Sequence, residues 1–256
     1  MQSTPILLRI GSLIILAGVI AGCTQARTTE LRSDLGEVTA MAHNSRIVVN
    51  GPGEYTRRLN VSARQILLAR LRGRLCLIVL LNDRADTVRI YEVNGNSLAE
   101  KGRGIPQSLK PWKIQVGDVD GDGEEDIGVG VYKKARFHPV MAKRPFIYNW
   151  DGRHLSPKWL GSRLSRPFTD FVLADSGSGT KLVAIEETSD GSRELAVYKW
   201  NGFGFTRIWN GVRSEKLSEL NVTGLPGKQM VVVYPHTSHK SYRSYSWDGR
   251  MLKEVR

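Results

Sequence analysis

Cysteine is almost missing from this sequence: Cys23 and Cys76 are the only two in 256 residues. That scarcity excludes a disulfide-dense scaffold and any multi-cysteine zinc knuckle. Acid is also short, with 25 aspartates and glutamates against 37 lysines and arginines, for a formal net charge of +12. So basic a surface favours anionic partners such as headgroups, acidic polymers or nucleic acid, and charge alone does not choose among them. Catalytic signatures are absent as well: there is no G-x-S-x-G, no H-E-x-x-H and no catalytic Cys–His pair. Helical periodicity is weak after residue 46. What is present is ordinary for a folded chain, 41% hydrophobic and 24% charged residues, which argues for a packed core rather than disorder.

The N-terminus carries the clearest targeting signal. Arg9 precedes an apolar run at residues 10–20, followed by small residues and Cys23. The run falls short of the roughly 20 apolar residues a permanent span needs and fits a secretory signal segment. Ile20-Ala21-Gly22-Cys23 resembles the lipobox of bacterial lipoproteins. The resemblance implies removal of residues 1–22, a lipid on Cys23 and attachment to the extracytoplasmic face of the cell membrane. The alternative is an ordinary signal peptide with an incidental cysteine. With Cys23 lipidated, Cys76 has no disulfide partner; inside the apolar run LCLIVLL it reads as a small buried hydrophobe. Residues 23–45 are polar and read as a lipidated cysteine with a tether, leaving residues 46–256 as the folded domain.

That domain repeats. YEVNG (91–95), YNWDG (148–152), YKWNG (198–202) and YSWDG (245–249) share Tyr-x-Trp/Val-Asx-Gly, with glycines 57, 50 and 47 residues apart. VVNG at 48–51 reads as a worn fifth copy. Such periods suit four-stranded blades of a β-propeller. Asn-Gly and Asp-Gly favour the positive-φ positions of a type I′ hairpin turn. Each repeat opens with strand, glycine-rich turn, strand: QILLARLRGRLCLIVLL, WKIQVGDVDGDGEEDIGVGVY, DFVLADSGSGTKLVAIEE and SELNVTGLPGKQMVVVY. A blade therefore reads as strand A, turn, strand B, loop, strand C, Asx-Gly turn, strand D. The fold class is all-β, a propeller of four-stranded antiparallel blades, four of them clear and a fifth partial. Trp159 and Trp209 each follow a repeat tryptophan by nine residues, a spacing that suits packing between blades.

One A–B turn stands apart. VGDVDGDGEEDI concentrates acid in a basic chain: Asp118, Asp120, Asp122 and Asp126 occupy positions 1, 3, 5 and 9, with Gly123 at 6 and Glu124 at 7. Alternate carboxylates on a curled loop, plus the Glu124 carbonyl, can supply the six to eight oxygens of Ca²⁺. An EF-hand needs a glutamate at position 12, where Val129 stands, and helices on both sides, where strands are expected. A solvated acidic turn is the alternative. GDVDGDGEEDI resembles the FG-GAP or VCBS repeat of integrin-alpha-type β-propellers and many bacterial surface proteins. That resemblance implies one structural Ca²⁺ in the A–B turn, with Asp118, Asp120, Asp122 and Asp126 as side-chain ligands.

Blade geometry puts the A–B and C–D turns on one face and the B–C and D–A loops on the other. The second face is expected to gather Lys133, Lys134, Arg136, Lys143, Arg144, Arg163 and Arg166 as a docking surface for an acidic polymer, a headgroup or an envelope protein, or as a solvated basic rim. An extracytoplasmic location argues against nucleic acid. His236 and His239 form an H-x-x-H without a local third ligand, and Glu186 and Glu187, adjacent on one strand, point to opposite faces. The expectation is a membrane-anchored binding or scaffolding propeller with no assigned catalytic residue. The alternative is a propeller-fold hydrolase or lyase acting on an acidic envelope polymer.

Overall fold

Runs separated by short turns each become one strand, and four consecutive strands make each sheet. The structure, a computed structural model, describes residues 27–33, 36–51, 56–82, 85–95, 97–161, 163–225, 227–235 and 242–255. Blade 1 comprises β1 (Arg27–Ser33), β2 (Gly36–His43), β3 (Arg46–Asn50) and β4 (Thr56–Leu59). Blade 2 comprises β5 (Ala63–Leu71), β6 (Arg74–Leu81), β7 (Asp86–Asn94) and β8 (Ser97–Pro106). Blade 3 follows with β9 (Lys113–Gly117), β10 (Asp126–Ala135), β11 (His138–Trp150) and β12 (Leu155–Leu160). Blade 4 is β13 (Phe168–Asp175), β14 (Thr180–Glu187), β15 (Arg193–Trp200) and β16 (Phe205–Arg213). Blade 5 is β17 (Leu217–Thr223), β18 (Met230–Pro235), β19 (Arg243–Trp247) and β20 (Leu252–Val255). Every sheet is antiparallel in chain order, so among the described residues no strand is exchanged between the first and last blades. The molecule is a five-bladed β-propeller. The signal segment, Cys23, His236 and His239 lie outside the described residues.

Two expectations need correction. Within the stretch read as a tether, residues 27–33 and 36–43 are strands: β1 and β2 pair along seven residues and complete blade 1. The pattern hides there because the buried side of β2 is small, with Val38, Ala40 and Ala42 inward and Glu37 and Met41 exposed. The Asx-Gly turns also differ. Only Asn94↔Ser97 closes the expected two-residue loop. At the turns after Trp150, Trp200 and Trp247 the loop is four residues, and the Asx side chain caps it. Asp151 Oδ1 accepts from the N–H groups of Arg153 (2.7 Å) and His154 (2.6 Å), Asn201 Oδ1 from Phe203 and Gly204, and Asp248 Oδ1 from Arg250 and Met251. An Asx side chain thus satisfies two amides that a two-residue turn would leave to the ladder.

Strands β6 and β14 are buried on both faces, which is why β6 reads as an unbroken apolar run. Four apolar cores fill the seams between blades 1 and 2, 2 and 3, 3 and 4, and 4 and 5. The repeat tryptophans serve these seams. Trp150 packs on Gly102 of β8, Trp200 meets Trp159 of β12 edge-on at 6.4 Å, and Trp247 meets Trp209 of β16 at 6.4 Å. In each case strand C of one blade leans on strand D of the blade before.

Polar clasps join the first strands around the axis. Thr29 Oγ1 of β1 accepts Leu68 N–H of β5, and Gln65 of β5 bonds both backbone groups of Ile114 on β9. Lys113 of β9 reaches both oxygens of Asp170 on β13 at 2.8 Å. It also donates to Leu220 O of β17, whose N–H donates to Asp170. Among the described residues no helix is long and apolar enough to cross a membrane.

Candidate cation site and the basic face

The acidic turn joins β9 to β10 at the end of a well-ordered ladder, with Gly117 opposite Asp126. Gly121 and Gly123 take φ of +79° and +87°, values that side-chain-bearing residues rarely adopt. Their backbone curls around Asp118, whose oxygens accept the N–H groups of Gly121 (2.7 Å), Asp122 (3.2 Å) and Gly123 (2.9 Å). Asp122 accepts from Glu124 N–H at 2.8 Å. One carboxylate oxygen each from Asp118, Asp120 and Asp126 then falls within 4.8 Å of the others. Asp122 stands at the exposed rim, outside that trio, and Glu124 is half-buried.

A residue the sequence did not nominate reaches into this cluster. Lys158 of β12 places Nζ 2.8 Å from Asp120, 3.8 Å from Asp122 and 2.9 Å from Asp126. It gets there through a β-bulge. Ile147 pairs with Trp159 and Tyr148 with Pro157, so Lys158 is the extra residue in the β11–β12 ladder. Blade 2 bulges at the equivalent Lys101, which pairs with Glu92, and blade 4 at Ile208. A bulge breaks inward–outward alternation, so strand periodicity gave no hint of where Lys158 points.

Lys158 leaves the site short of positive charge. Six acids lie between residues 118 and 126. Although Nζ is 2.9 Å from Asp126 Oδ1, it donates to Oδ2, and among the described residues Oδ1 has no hydrogen-bond partner on a side chain only 1% exposed. Burial pushes the Asp126 carboxyl up to about 6, against the pull of Lys158. Burial, with Asp118 and Asp126 adding to it, lifts Glu125 to about 7. Burial opposes the charge on Lys158, but Asp120 and Asp126 outweigh it and hold the ammonium above its ordinary value. The Asp126 Oδ1 oxygen thus keeps an ion-pair contact with Lys158 without a hydrogen bond, and the three carboxylates have the oxygen chemistry that could hold a divalent ion.

On the opposite face the predicted cations divide into open and committed groups. Lys134, Arg136 and Arg163 are exposed, and Lys133 lies 5.7 Å over the Phe146 ring. Lys143 is half-buried 4.4 Å over Trp112 and donates to Thr169 O. Arg166 bonds Glu194 at 2.8 Å. Arg144 is not part of the surface at all. It is fully buried and bonds the carbonyls of Lys133 (2.8 Å), His138 (2.9 Å) and Val140 (2.7 Å) inside its own hairpin. Of the acid pair on β14, Glu186 is buried against Tyr198 and Arg207, and Glu187 is exposed.

No family model and no curated protein matches the sequence. The solved structures give the fold. Over 99% of this chain and 96% of the other, the structure is similar to a crystal structure of a candidate 6-phosphogluconolactonase from Bacteroides fragilis NCTC 9343, with a TM-score of 0.51 and 8% identity. At that identity the likeness establishes the propeller and not its chemistry. Among the described residues, the axial carboxylate of Asp170 is engaged on both oxygens by Lys113 and also accepts from Leu220 N–H. A cleft of about 360 Å³ at the seam of blades 2 and 3 contains Glu92, paired with Arg74 and Lys101.

Proposed function

We propose that this chain is a calcium-stabilised binding propeller of the FG-GAP or VCBS type. In this reading a lipid on Cys23 holds it to the extracytoplasmic face of a cell membrane, and its basic face takes an anionic polymer or envelope partner. The observation that supports it best is the convergence of Asp118, Asp120 and Asp126, whose carboxylate oxygens lie within 4.8 Å of one another around a single lysine ammonium, that of Lys158. Ca²⁺ would be held by Asp118, Asp120 and Asp126, with Asp122 at the rim and the Glu124 carbonyl completing the oxygen set. Ca²⁺ suits a flexible, oxygen-only site, whereas Mg²⁺ prefers few protein ligands and rigid octahedral geometry. Its role is structural: it ties the β9–β10 turn and neutralises a charge excess that Lys158 alone leaves. Lys158 swings out as the ion enters.

The binding face then consists of Lys134, Arg136 and Arg163, because their neighbours are already committed to internal partners. The test is thermal unfolding of residues 24–256 with and without Ca²⁺. Ca²⁺ is expected to raise Tm for the wild type and not for Asp120→Ala; equal shifts in both proteins would remove the site.

A hydrolase or lyase acting on an acidic polymer, or on a sugar lactone, is the second reading. It draws on the fold shared with the lactonase-like neighbour. Turnover of 6-phosphogluconolactone or of an acidic envelope polymer by the pure protein would establish it; no turnover of either would leave the binding reading.

A further inference from the structure

The hairpin of β10 and β11 extends past the sheet as a preformed probe. Ala135 pairs with His138, so Arg136 and Phe137 form its two-residue tip. Phe137 is 85% exposed, with the Arg136 guanidinium 5.5 Å from its ring centroid. Just behind the tip Val140 is 56% exposed and Met141 is also open to solvent, while Lys134 flanks them. Large apolar groups at the end of a projecting arm gain nothing from water, and none of the described residues covers them. The arm is also stiff, since buried Arg144 bonds three of its carbonyls. Internal bonding of this kind lowers the ordering entropy that an insertion must overcome.

We propose that this hairpin is a membrane-docking wedge for an anionic phospholipid surface. Apolar side chains enter the acyl boundary while the flanking cations stay among headgroups. A soluble polyanion would engage Lys134 and Arg136 but give Phe137 and Val140 no apolar environment. Orientation agrees: the hairpin tip is a B–C loop, and β1 begins on the same face, so the chain upstream of Arg27 is attached on the hairpin side. The acidic turn lies on the other face and points away from the anionic surface. The inference deepens the membrane-bound reading above by naming its anionic partner, but it does not require the lipid on Cys23.

All twenty strands lie within residues 27–255, so a fragment of residues 24–256 keeps the whole fold without the lipid. Its binding is measured by co-sedimentation with vesicles of phosphatidylcholine alone and of phosphatidylcholine mixed with phosphatidylglycerol. The wild type is expected to bind the mixed vesicles and to leave the neutral ones in the supernatant. Phe137→Ser with Val140→Ser is expected to weaken binding about tenfold at unchanged Tm. Lys134→Glu with Arg136→Glu is expected to weaken it roughly fivefold or more for each cation removed. Equal binding to both vesicle types overturns the inference, as does an apolar variant that binds like the wild type. If a soluble polyanion binds both proteins equally and displaces the wild type from vesicles, the face belongs to a polymer and the wedge is wrong. A failed lipid anchor or an inert acidic turn would alter none of these results.

Discussion

Replacing Lys158 by methionine separates the two ways the acidic turn can be neutralised. The change keeps the length of the aliphatic stem and removes one ammonium from within 2.9 Å of Asp120 and Asp126. Breaking a buried pair from one side typically costs about 3–5 kcal/mol, because the remaining charge is left without a partner. Asp126 is almost fully buried, but Asp120 is partly open to water, so the expected loss in metal-free buffer is about 2–3 kcal/mol. For a domain of this size that is a fall in Tm of roughly 4–12 °C. Calcium should reverse the loss. At a hundredfold excess over Kd, binding to the folded state contributes about 2.7 kcal/mol. The variant should also bind Ca²⁺ more tightly than the wild type, since no ammonium has to leave. Differential scanning calorimetry with chelator and with millimolar Ca²⁺ reads both effects. If Lys158→Met loses stability and Ca²⁺ restores none of it, lysine is the resident cation and the ligand assignment fails.

Other perturbations address the scaffold and the anchor. Asp170→Ala strands the buried Lys113 ammonium at the axis and is expected to cost about 3–5 kcal/mol in urea unfolding; a loss under 1 kcal/mol would show that the clasp joining blades 3, 4 and 5 is dispensable. In Gly102→Ala the new Cβ would lie 2.2 Å from Trp150 Cη2 and 2.7 Å from Arg153 O, so about 1–3 kcal/mol of overpacking strain is expected, and unchanged stability would mean that the seam of blades 2 and 3 is loose. Burial pushes the Cys76 thiol up to about 11, which leaves roughly one thiolate in a thousand at pH 8; alkylation should therefore wait for unfolding, and rapid labelling of the native protein would contradict its burial. Cys23→Ser is expected to move the protein from a detergent-extracted to a soluble fraction in cells, and full retention in the detergent fraction would count against a lipid at that cysteine.

Turn chemistry made most of the propeller readable before any coordinates. Tyr-x-Trp-Asx-Gly marks the end of strand C because the Asx side chain caps the loop that follows, and the tryptophan marks the seam between blades. Blade 1 was only partly legible. Its β2 buries alanines and one valine, a pattern too weakly apolar to distinguish from a polar linker. The acidic turn was legible for its aspartates, since their spacing is local. Lys158 was not, because two circumstances hide it: it is distant in sequence, and it sits on a bulge that cancels the two-residue period. Arg144 misled in the opposite direction. Amid a run of lysines and arginines it reads as surface charge, yet three carbonyls of its own hairpin accept its N–H groups and bury it. Charge density along a chain therefore does not tell an exposed cation such as Arg136 from a buried one such as Arg144.

Isothermal titration of residues 24–256 with Ca²⁺ goes straight to the acidic turn. One ion per chain is expected, with Kd in the micromolar to millimolar range typical of such loops and no heat from Asp120→Ala. A wild-type protein that takes up no Ca²⁺ at millimolar concentration, or one that binds it equally well after Asp120 is removed, would leave the three carboxylates as a lysine-capped turn and nothing more.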